Sequence, residues 1–362
     1  MKSNIKTAVV YDWTNQIGGA ERLVEIIAKA FPRSDLFTAV YDPKKAPWST
    51  NFNKVTASFI DKLPFSKSKY HWYFPLLPYA FESFSLNGYD LVISVTSYPG
   101  KFIITHPETC HISLCLTPTR FLWEKKNSSS VLFPIFSQLR IADQLAAKRA
   151  DFTFTTCKNT AAKIKKYYQL GSEVIYPEID TDKFIPAKTN KEGGYFLIVG
   201  RLVKYKKVDL AVKAFNKLGW PLKIVGSGRE KKYLESIASK NIEFLGNIND
   251  QQLVDYYQNC KALIFPQEED FGLVPLEAQS CGKPVIAYQK GGALETVVQG
   301  ITGEFFASQT ENCLIQSLNK FDARKYLSKN CRKNSLRFSK GSFLKVFKER
   351  SLESLKKYNQ SF

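Results

Sequence analysis

The run YFLIVGRLVKYKKVDLAVKAFNKLGWPLKIVGSG, Tyr195–Gly228, decides the fold. It opens on an uncharged apolar segment, Tyr195–Val199, the pattern of a buried strand. A basic loop, Gly200–Lys207, follows. Val208–Leu218 reads as a helix, and Leu222–Val225 is a second short strand running into Gly226-Ser227-Gly228. Further along come a helix at Arg229–Ser239 and short strands at Ile242–Leu245, Ala262–Phe265 and Pro284–Ala287, with helices between them.

The first half of the chain shows the same scheme. Thr7–Tyr11 is a strand, Asp12–Gly19 a glycine-bearing loop, and Ala20–Phe31 a helix with Leu23, Ile26, Ile27 and Ala30 at helical spacing. Strands at Leu91–Val95, His111–Leu116 and Phe152–Thr155 follow, then a basic helix, Asn159–Tyr168. Strand and helix alternating twice over argue for an α/β protein of two doubly wound, Rossmann-like domains. The 362 residues suit two domains better than one core. The expected division is 1–176, a polar linker rich in Pro and Gly at 177–194, a second domain at 195–340, and a basic terminal helix at 341–362. In such sheets ligands sit outside the carboxyl ends of the strands, so two domains facing across a cleft can hold a donor and an acceptor.

Composition narrows the function classes. A hydrophobic content of 44% is globular. The net charge of +19 makes acidic partners reasonable: nucleic acid, an anionic membrane or a phosphorylated substrate. No nucleic-acid recognition motif is present and the basic residues do not form a groove-binding helix, so nucleic acid is not expected. Seven cysteines, an odd number without a C-x-x-C pair, read as reduced thiols. Three histidines offer little material for a metal centre, and none is expected. The N-terminus MKSNIKTAVVYDW has no long apolar core, and Trp72–Phe81 is too short and proline-broken to span a bilayer. The expected location is the cytoplasm, with contact to the inner face of the plasma membrane left open.

The residues that carry chemistry cluster after strands. In QEEDFGLVPLEAQSCGKPVIAYQKGGALETV, Gln267–Val297, the loop Pro266–Gly272 follows a strand and Val274–Cys281 reads as the next helix. Glu269 then lies in the loop and Glu277 in the first turns of the helix. The backbone N–H groups of Phe271, Gly272 and Leu273 point toward the same space, which suits an anion or sugar hydroxyls. Carboxylates accept hydrogen bonds from hydroxyl pairs, so Glu269 suits a sugar ring and Glu277 a ribose. The plainer alternative makes both ordinary acids near a helix start. Arg201 and Lys206 stand after the strand Tyr195–Val199, where two fixed cations can neutralise a departing diphosphate; Lys204 and Lys207 read as solvated bystanders. Gly18 and Gly19 let the backbone approach a substrate closely, or simply form a turn. Gly226 and Gly228 are expected to cap the following helix and line a nucleotide pocket. Gly291 and Gly292 either cradle a phosphate or make a tight turn.

Glu269, Phe271, Gly272 and Glu277 form E-x-F-G-x-x-x-x-E, which resembles the signature of the retaining GT4-type glycosyltransferases of the GT-B fold. GKPVIAYQKGGALETV resembles a bacterial mannosyltransferase-like branch of that family. YDWTNQIGGAERL (11–23), VIYPEIDTDKF (174–184), GRLVKYKKVDLAVKAF (200–215) and LKIVGSGRE (222–230) do so too, in family order across nearly the whole chain. The resemblance implies a metal-independent transfer of a hexosyl group, with retention, from a nucleotide-diphosphate sugar such as GDP-mannose. The acceptor would be a glycan or lipid-linked acceptor in surface polysaccharide synthesis. Arg201 and Lys206 would bind the donor diphosphate, Glu269 orient the sugar, Glu277 hold the ribose, and the Gly18-Gly19 loop meet donor phosphate and acceptor. No resident cofactor is implied.

One position departs from the pattern. In HISLCLTPTRFLW (111–123), members of that branch carry His where this chain has Leu116. Leucine cannot hydrogen-bond a hydroxyl, and His111 stands at the start of the strand, too far along to substitute. Either the Leu116 carbonyl suffices, or activity is altered or lost and the protein is a nucleotide-sugar-binding partner of another transferase. Arg120 reads as a contact to an anionic acceptor or as a structural ion pair. Phe59–Phe84 interleaves nine aromatics with Lys62, Lys67 and Lys69, a pattern of membrane interfaces and equally of an aromatic core. From Phe321 to Phe362 there are twelve Lys and Arg against three acids, which would draw the tail to an anionic bilayer or merely solvate it.

Overall fold

A computed structural model describes residues 5–124, 133–188 and 193–361. Residues 1–4 of the N-terminus, 189–192 of the expected linker and Phe362 of the tail lie outside the described residues. The chain forms two compact units: Met1–Tyr176 together with Phe343–Phe362, and Pro177–Ser342.

The first unit holds strands β1 (Thr7–Tyr11), β2 (Asp35–Thr38), β3 (Lys54–Ala57), β4 (Leu91–Thr96), β5 (Cys110–Cys115), β6 (Phe152–Thr155) and β7 (Glu173–Val174). They pair in parallel in the order β3-β2-β1-β4-β5-β6-β7. The second holds β8 (Phe196–Val199), β9 (Leu222–Val225), β10 (Ile242–Gly246), β11 (Leu263–Phe265), β12 (Val285–Tyr288) and β13 (Gly303–Phe306). Its order is β10-β9-β8-β11-β12-β13, again parallel. Both are doubly wound sheets. The order reverses between β1 and β4 in one and between β8 and β11 in the other, and ligands of such sheets bind at that reversal.

The uninterrupted apolar strands are explained by burial on both faces. Val9 and Tyr11 point into one core with Leu36, Ile93 and Ile112, while Ala8 and Val10 point into another with Phe37 and Val92. In the second sheet Phe196 and Ile198 join Ile224 and Ile286, and Leu197 joins Val225, Leu263 and Ala287. Alternate residues of a strand face opposite sides, so a parallel sheet covered twice demands apolar residues throughout.

The last helix, Ser342–Gln360, belongs to the first unit from Phe343 onward. Phe343, Phe347 and Leu355 are buried in its core, and Phe347 packs edge-on against Phe31 and Phe154. Part of the expected linker is ordered into the second unit: Ile179 N–H donates to the Phe338 carbonyl, and the Arg332 guanidinium donates to the carbonyls of Thr181 and Phe184. All seven cysteines are free thiols. No helix among the described residues is long and apolar enough to cross a membrane.

Candidate active site

In the second unit the charged loops lie at the carboxyl ends of β8 and β11, neighbours at the sheet's reversal point. A short 3-10 turn, Lys204–Lys206, lifts the basic loop, and Lys207 takes a left-handed conformation that starts the helix Val208–Leu218. Here the Lys206 ammonium forms an ion pair with the Glu269 carboxylate, both side chains mostly shielded from solvent. Arg201, in the same loop, is exposed. Two residues 63 positions apart thus meet because the sheet order makes their strands adjacent.

Glycines hold both charged loops. A Cβ on Gly226 would sit 2.0 Å from the Gly200 carbonyl oxygen, and one on Gly228 2.3 Å from that of Leu202. Leu202 N–H donates to the Ser227 carbonyl at 2.9 Å, and Glu230 N–H to that of Leu202 at 3.0 Å. The expected helix cap is therefore a secondary role. The glycines first of all let the turn after β9 lie directly on the Arg201 loop, and the helix Lys231–Ile237 starts from Glu230. Gly291 and Gly292 do the same for the acid. Their Cβ atoms would meet the backbone of Glu269 and Phe271 at 2.3 and 2.2 Å, and Gly292 N–H donates to the Glu269 carbonyl at 2.8 Å.

The helix Leu273–Ser280 begins at Gly272, whose φ of +90° suits glycine. The Phe271 ring is buried edge-on against Phe338, so its backbone, not its ring, is what this loop can present. Glu277 is buried too, and Tyr257 O–H donates to its Oε2 at 2.9 Å. Burial first, then the neighbouring carboxylate, pushes the Tyr257 phenol well above its ordinary range, so it stays a donor. Sequence reasoning missed Tyr257: it lies on the helix Asp250–Asn259 and no local motif links it to Glu277.

In the first unit Gly18 precedes the helix Gly19–Ala30 with an extended backbone. A Cβ there would lie 2.7 Å from Glu21 Oε2. The buried Glu21 accepts from Tyr11 O–H and Gln16 Nε2, both at 2.7 Å, so Gly18 makes room for a packed carboxylate. Asp12, at the carboxyl end of β1, is buried and accepts from Thr96 Oγ1 at 2.6 Å and from the N–H groups of Ser97 and Gly100 at 2.7 and 2.9 Å. It ties the two loops at this sheet's reversal point together. Burial raises its carboxyl above the usual range, against the opposing effect of these hydrogen bonds. Its place directly after the first strand was the signal that could have found it.

Arg120 Nε lies 3.9 Å from Glu124, which also takes Lys163 at 2.6 Å. Beneath Arg120 a buried network fixes the loop after β5. Lys101 Nζ donates to Asp143 and Thr119 at 2.9 Å and to Tyr168 O–H at 2.7 Å, while Trp123 Nε1 donates to Asp143 at 2.8 Å. Leu116, at the carboxyl end of β5, packs against the apolar core. His111, at the other end of that strand, is buried with Nε2 2.9 Å from Ser94 Oγ, and burial lowers its pKa to about 4.

Comparison with known proteins follows the same division. Residues 180–338 match the family described as Glycosyl transferases group 1. That segment carries Arg201, Lys206, Glu269 and Glu277. An uncharacterized glycosyltransferase of Methanocaldococcus jannaschii is 30% identical over 191 residues, and the match spans about half the length of each chain, 50% in both cases. Alpha-1,3/1,6-mannosyltransferase ALG2 of Dictyostelium discoideum is 25% identical over 374 residues, 84% of this chain and 86% of that one. Among solved structures, sucrose-phosphate synthase from Thermosynechococcus elongatus superposes with a TM-score of 0.74 at 19% identity, covering 99% of both chains. Anabaena HepE in complex with UDP gives 0.72 at 16%, covering 98% of this chain and 100% of that one. The fold is thus that of the GT-B glycosyltransferases, and the family and its relatives support glycosyl transfer as the class of reaction.

Proposed function

We propose that this protein is a group 1 glycosyltransferase that moves a hexosyl group, mannosyl in the first instance, from a nucleoside-diphosphate sugar to a hydroxyl of a glycan or lipid-linked acceptor in surface polysaccharide synthesis, with retention at the anomeric carbon. The observation that carries the reading is the meeting of Lys206 and Glu269 at the reversal point of the second sheet. Cations there stabilise a diphosphate whose charge grows as the glycosidic bond breaks. Arg201 and Lys206 take that role without a metal ion, and the departing phosphate oxygen accepts the proton of the acceptor hydroxyl. Glu269 orients the donor sugar, and Glu277, steadied by Tyr257, holds the ribose. The backbone of Phe271, Gly272 and Leu273 and the Gly226–Gly228 turn line the donor site; Gly18, Gly19 and Arg120 serve the acceptor side. Support for a nucleotide-sugar donor comes from HepE, which was solved with UDP-glucose, and for mannose from the ALG2 relatives.

A thermal-shift screen with GDP and UDP tests the donor. GDP is expected to raise the melting temperature and UDP to leave it unchanged; a preference for UDP would replace mannose by a UDP-linked sugar. Incubation of the donor with a membrane extract then tests the chemistry through release of the nucleoside diphosphate.

Leu116 favours a second reading. Its apolar side chain, packed on the core, supports a donor-binding partner of another transferase. Tight donor binding with no turnover on any acceptor, together with turnover gained by Leu116→His, would establish that reading in place of the first.

A further inference from the structure

The first unit buries an ion pair where stability alone gives no reason for one. Lys101 and Asp143 are 3% and 0% exposed and 2.9 Å apart. Burying such a pair costs about as much as its attraction returns, and apolar side chains serve a core as well or better. Here every polar group of the pair is used. Lys101 Nζ gives its three hydrogens to Asp143 Oδ1, Thr119 Oγ1 and the Tyr168 hydroxyl. Asp143 also accepts from Thr119 Oγ1 at 2.7 Å, Trp123 Nε1 at 2.8 Å and Tyr168 O–H at 2.7 Å. The Tyr168 oxygen accepts in turn from Thr119 N–H at 3.2 Å. Burial works against the Lys101 charge, and Asp143 outweighs it, so the ammonium's pKa is raised. A buried polar network satisfied throughout is rigid and admits one arrangement.

What it fixes is one short stretch of chain. Thr119 and Trp123 cap and end the helix Arg120–Trp123, and both are tied to Asp143. Arg140 Nε adds a hold on the Leu122 carbonyl at 2.7 Å, and the Trp123 ring stacks on Tyr167 with centroids 5.1 Å apart. Arg120 thus stands among residues pinned at 119, 122 and 123, while its own side chain is 39% exposed. The Ser97 carbonyl lies 3.1 Å from Thr119 Oγ1, and Ser97 N–H donates to the buried Asp12. The clamp therefore reaches the loops after β1, β4 and β5, at this sheet's reversal point.

We propose that Lys101, Asp143 and Tyr168 are positioning residues that hold the Arg120 guanidinium where the acceptor is captured. The inference deepens, and rests on, the acceptor role given to Arg120. A misplacement of about 1 Å far from the chemistry is enough to slow a reaction by about 100-fold, so a rigid mount for one cation is a functional device.

Tyr168→Phe removes one hydroxyl from the network and keeps the ring. Amide hydrogen exchange of the full chain, with no ligand, is expected to quicken about tenfold at residues 116–123 and to stay at the parent rate in the second unit. In the nucleotide-release assay, the amount of membrane extract that half-saturates turnover is expected to rise about tenfold. The melting-temperature gain from GDP and the slow release of nucleotide without acceptor are expected to be unchanged. With Arg120→Ala already present, Tyr168→Phe is expected to add about twofold at most, since both act through one side chain. Lys101→Met/Asp143→Asn, which removes both charges, is expected to reproduce the kinetic loss while keeping a melting temperature above that of Lys101→Met alone. Parent-rate exchange at 116–123 in both Tyr168→Phe and the double variant overturns the proposal. So does a full tenfold effect of Tyr168→Phe on top of Arg120→Ala, or a loss that follows melting temperature across the variants. A parent without turnover on any acceptor fails the transfer reading instead, so the two failures are distinguishable.

Discussion

Lys206 and Glu269 neutralise each other at a place where burial makes a lone charge costly. Changing one partner leaves the other shielded and unpaired, so Lys206→Ala is expected to cost on the order of 2 kcal/mol of stability. Lys206→Met/Glu269→Gln, which removes both charges, is expected to recover most of it. Donor turnover is expected to fall about 100-fold in both, because the diphosphate loses its cation either way. Chemical denaturation and a nucleotide-release assay separate the two effects. His111 supplies a pH prediction. Its folded pKa of about 4 lies below the ordinary value of 6.5, so the unfolded chain binds a proton that the folded one refuses. Stability is therefore expected to decline as pH falls from about 6.5 toward 4, by on the order of 3 kcal/mol in all, and His111→Gln to flatten that slope in urea titrations at stepped pH. At this scale the sequence displayed the charged groups of the candidate site but not their supports. Tyr257, Lys101, Asp143 and Tyr168 act through contacts 18 to 67 positions away, and no spacing rule reaches that far.

At the scale of elements, the glycine turns after β9 and β12 act as seats for the loops after β8 and β11. Gly228→Ala would press a methyl group into the Leu202 carbonyl, so it is expected to destabilise the second unit by about 3 kcal/mol and to displace Arg201. Thermal melting with and without nucleotide checks both: the melting temperature drops, and the gain from nucleotide shrinks. The central strands were legible because both of their faces are buried, which forces apolar runs; β1, β6 and β9 fall where their patterns placed them. Missing from that reading were β2, β3, β7 and β13, short strands that each carry a charged residue, Asp35, Lys54, Glu173 and Glu304, and so lack an apolar run. Edge and near-edge strands need less apolar surface, so their pattern is weaker. In Phe59–Phe84 the core expectation holds for Phe74, Phe81 and Phe84, while Phe65, Trp72 and Tyr79 are exposed.

At the scale of the molecule, the doubly wound architecture followed from strand and helix alternating twice. One core of the first unit depends on the last helix as well as on the strands. Removing residues 343–362 would strip Phe343, Phe347 and Leu355 from the first unit, at about 2 kcal/mol for each buried side chain. A loss of that order is a large fraction of a domain's stability. Calorimetry of the shortened chain is expected to show the first unit's transition lowered or gone and the second unit's retained. The division into units, one continuous and one built from two separated stretches, also has a consequence for synthesis on the ribosome. Pro177–Ser342 has all of its strands as soon as it emerges, and can fold at once. The first unit, begun earlier, waits with Phe31 and Phe154 uncovered until the helix after Ser342 is made. The half of the protein that starts first is the half that finishes last, and during that interval it is the half in need of a chaperone.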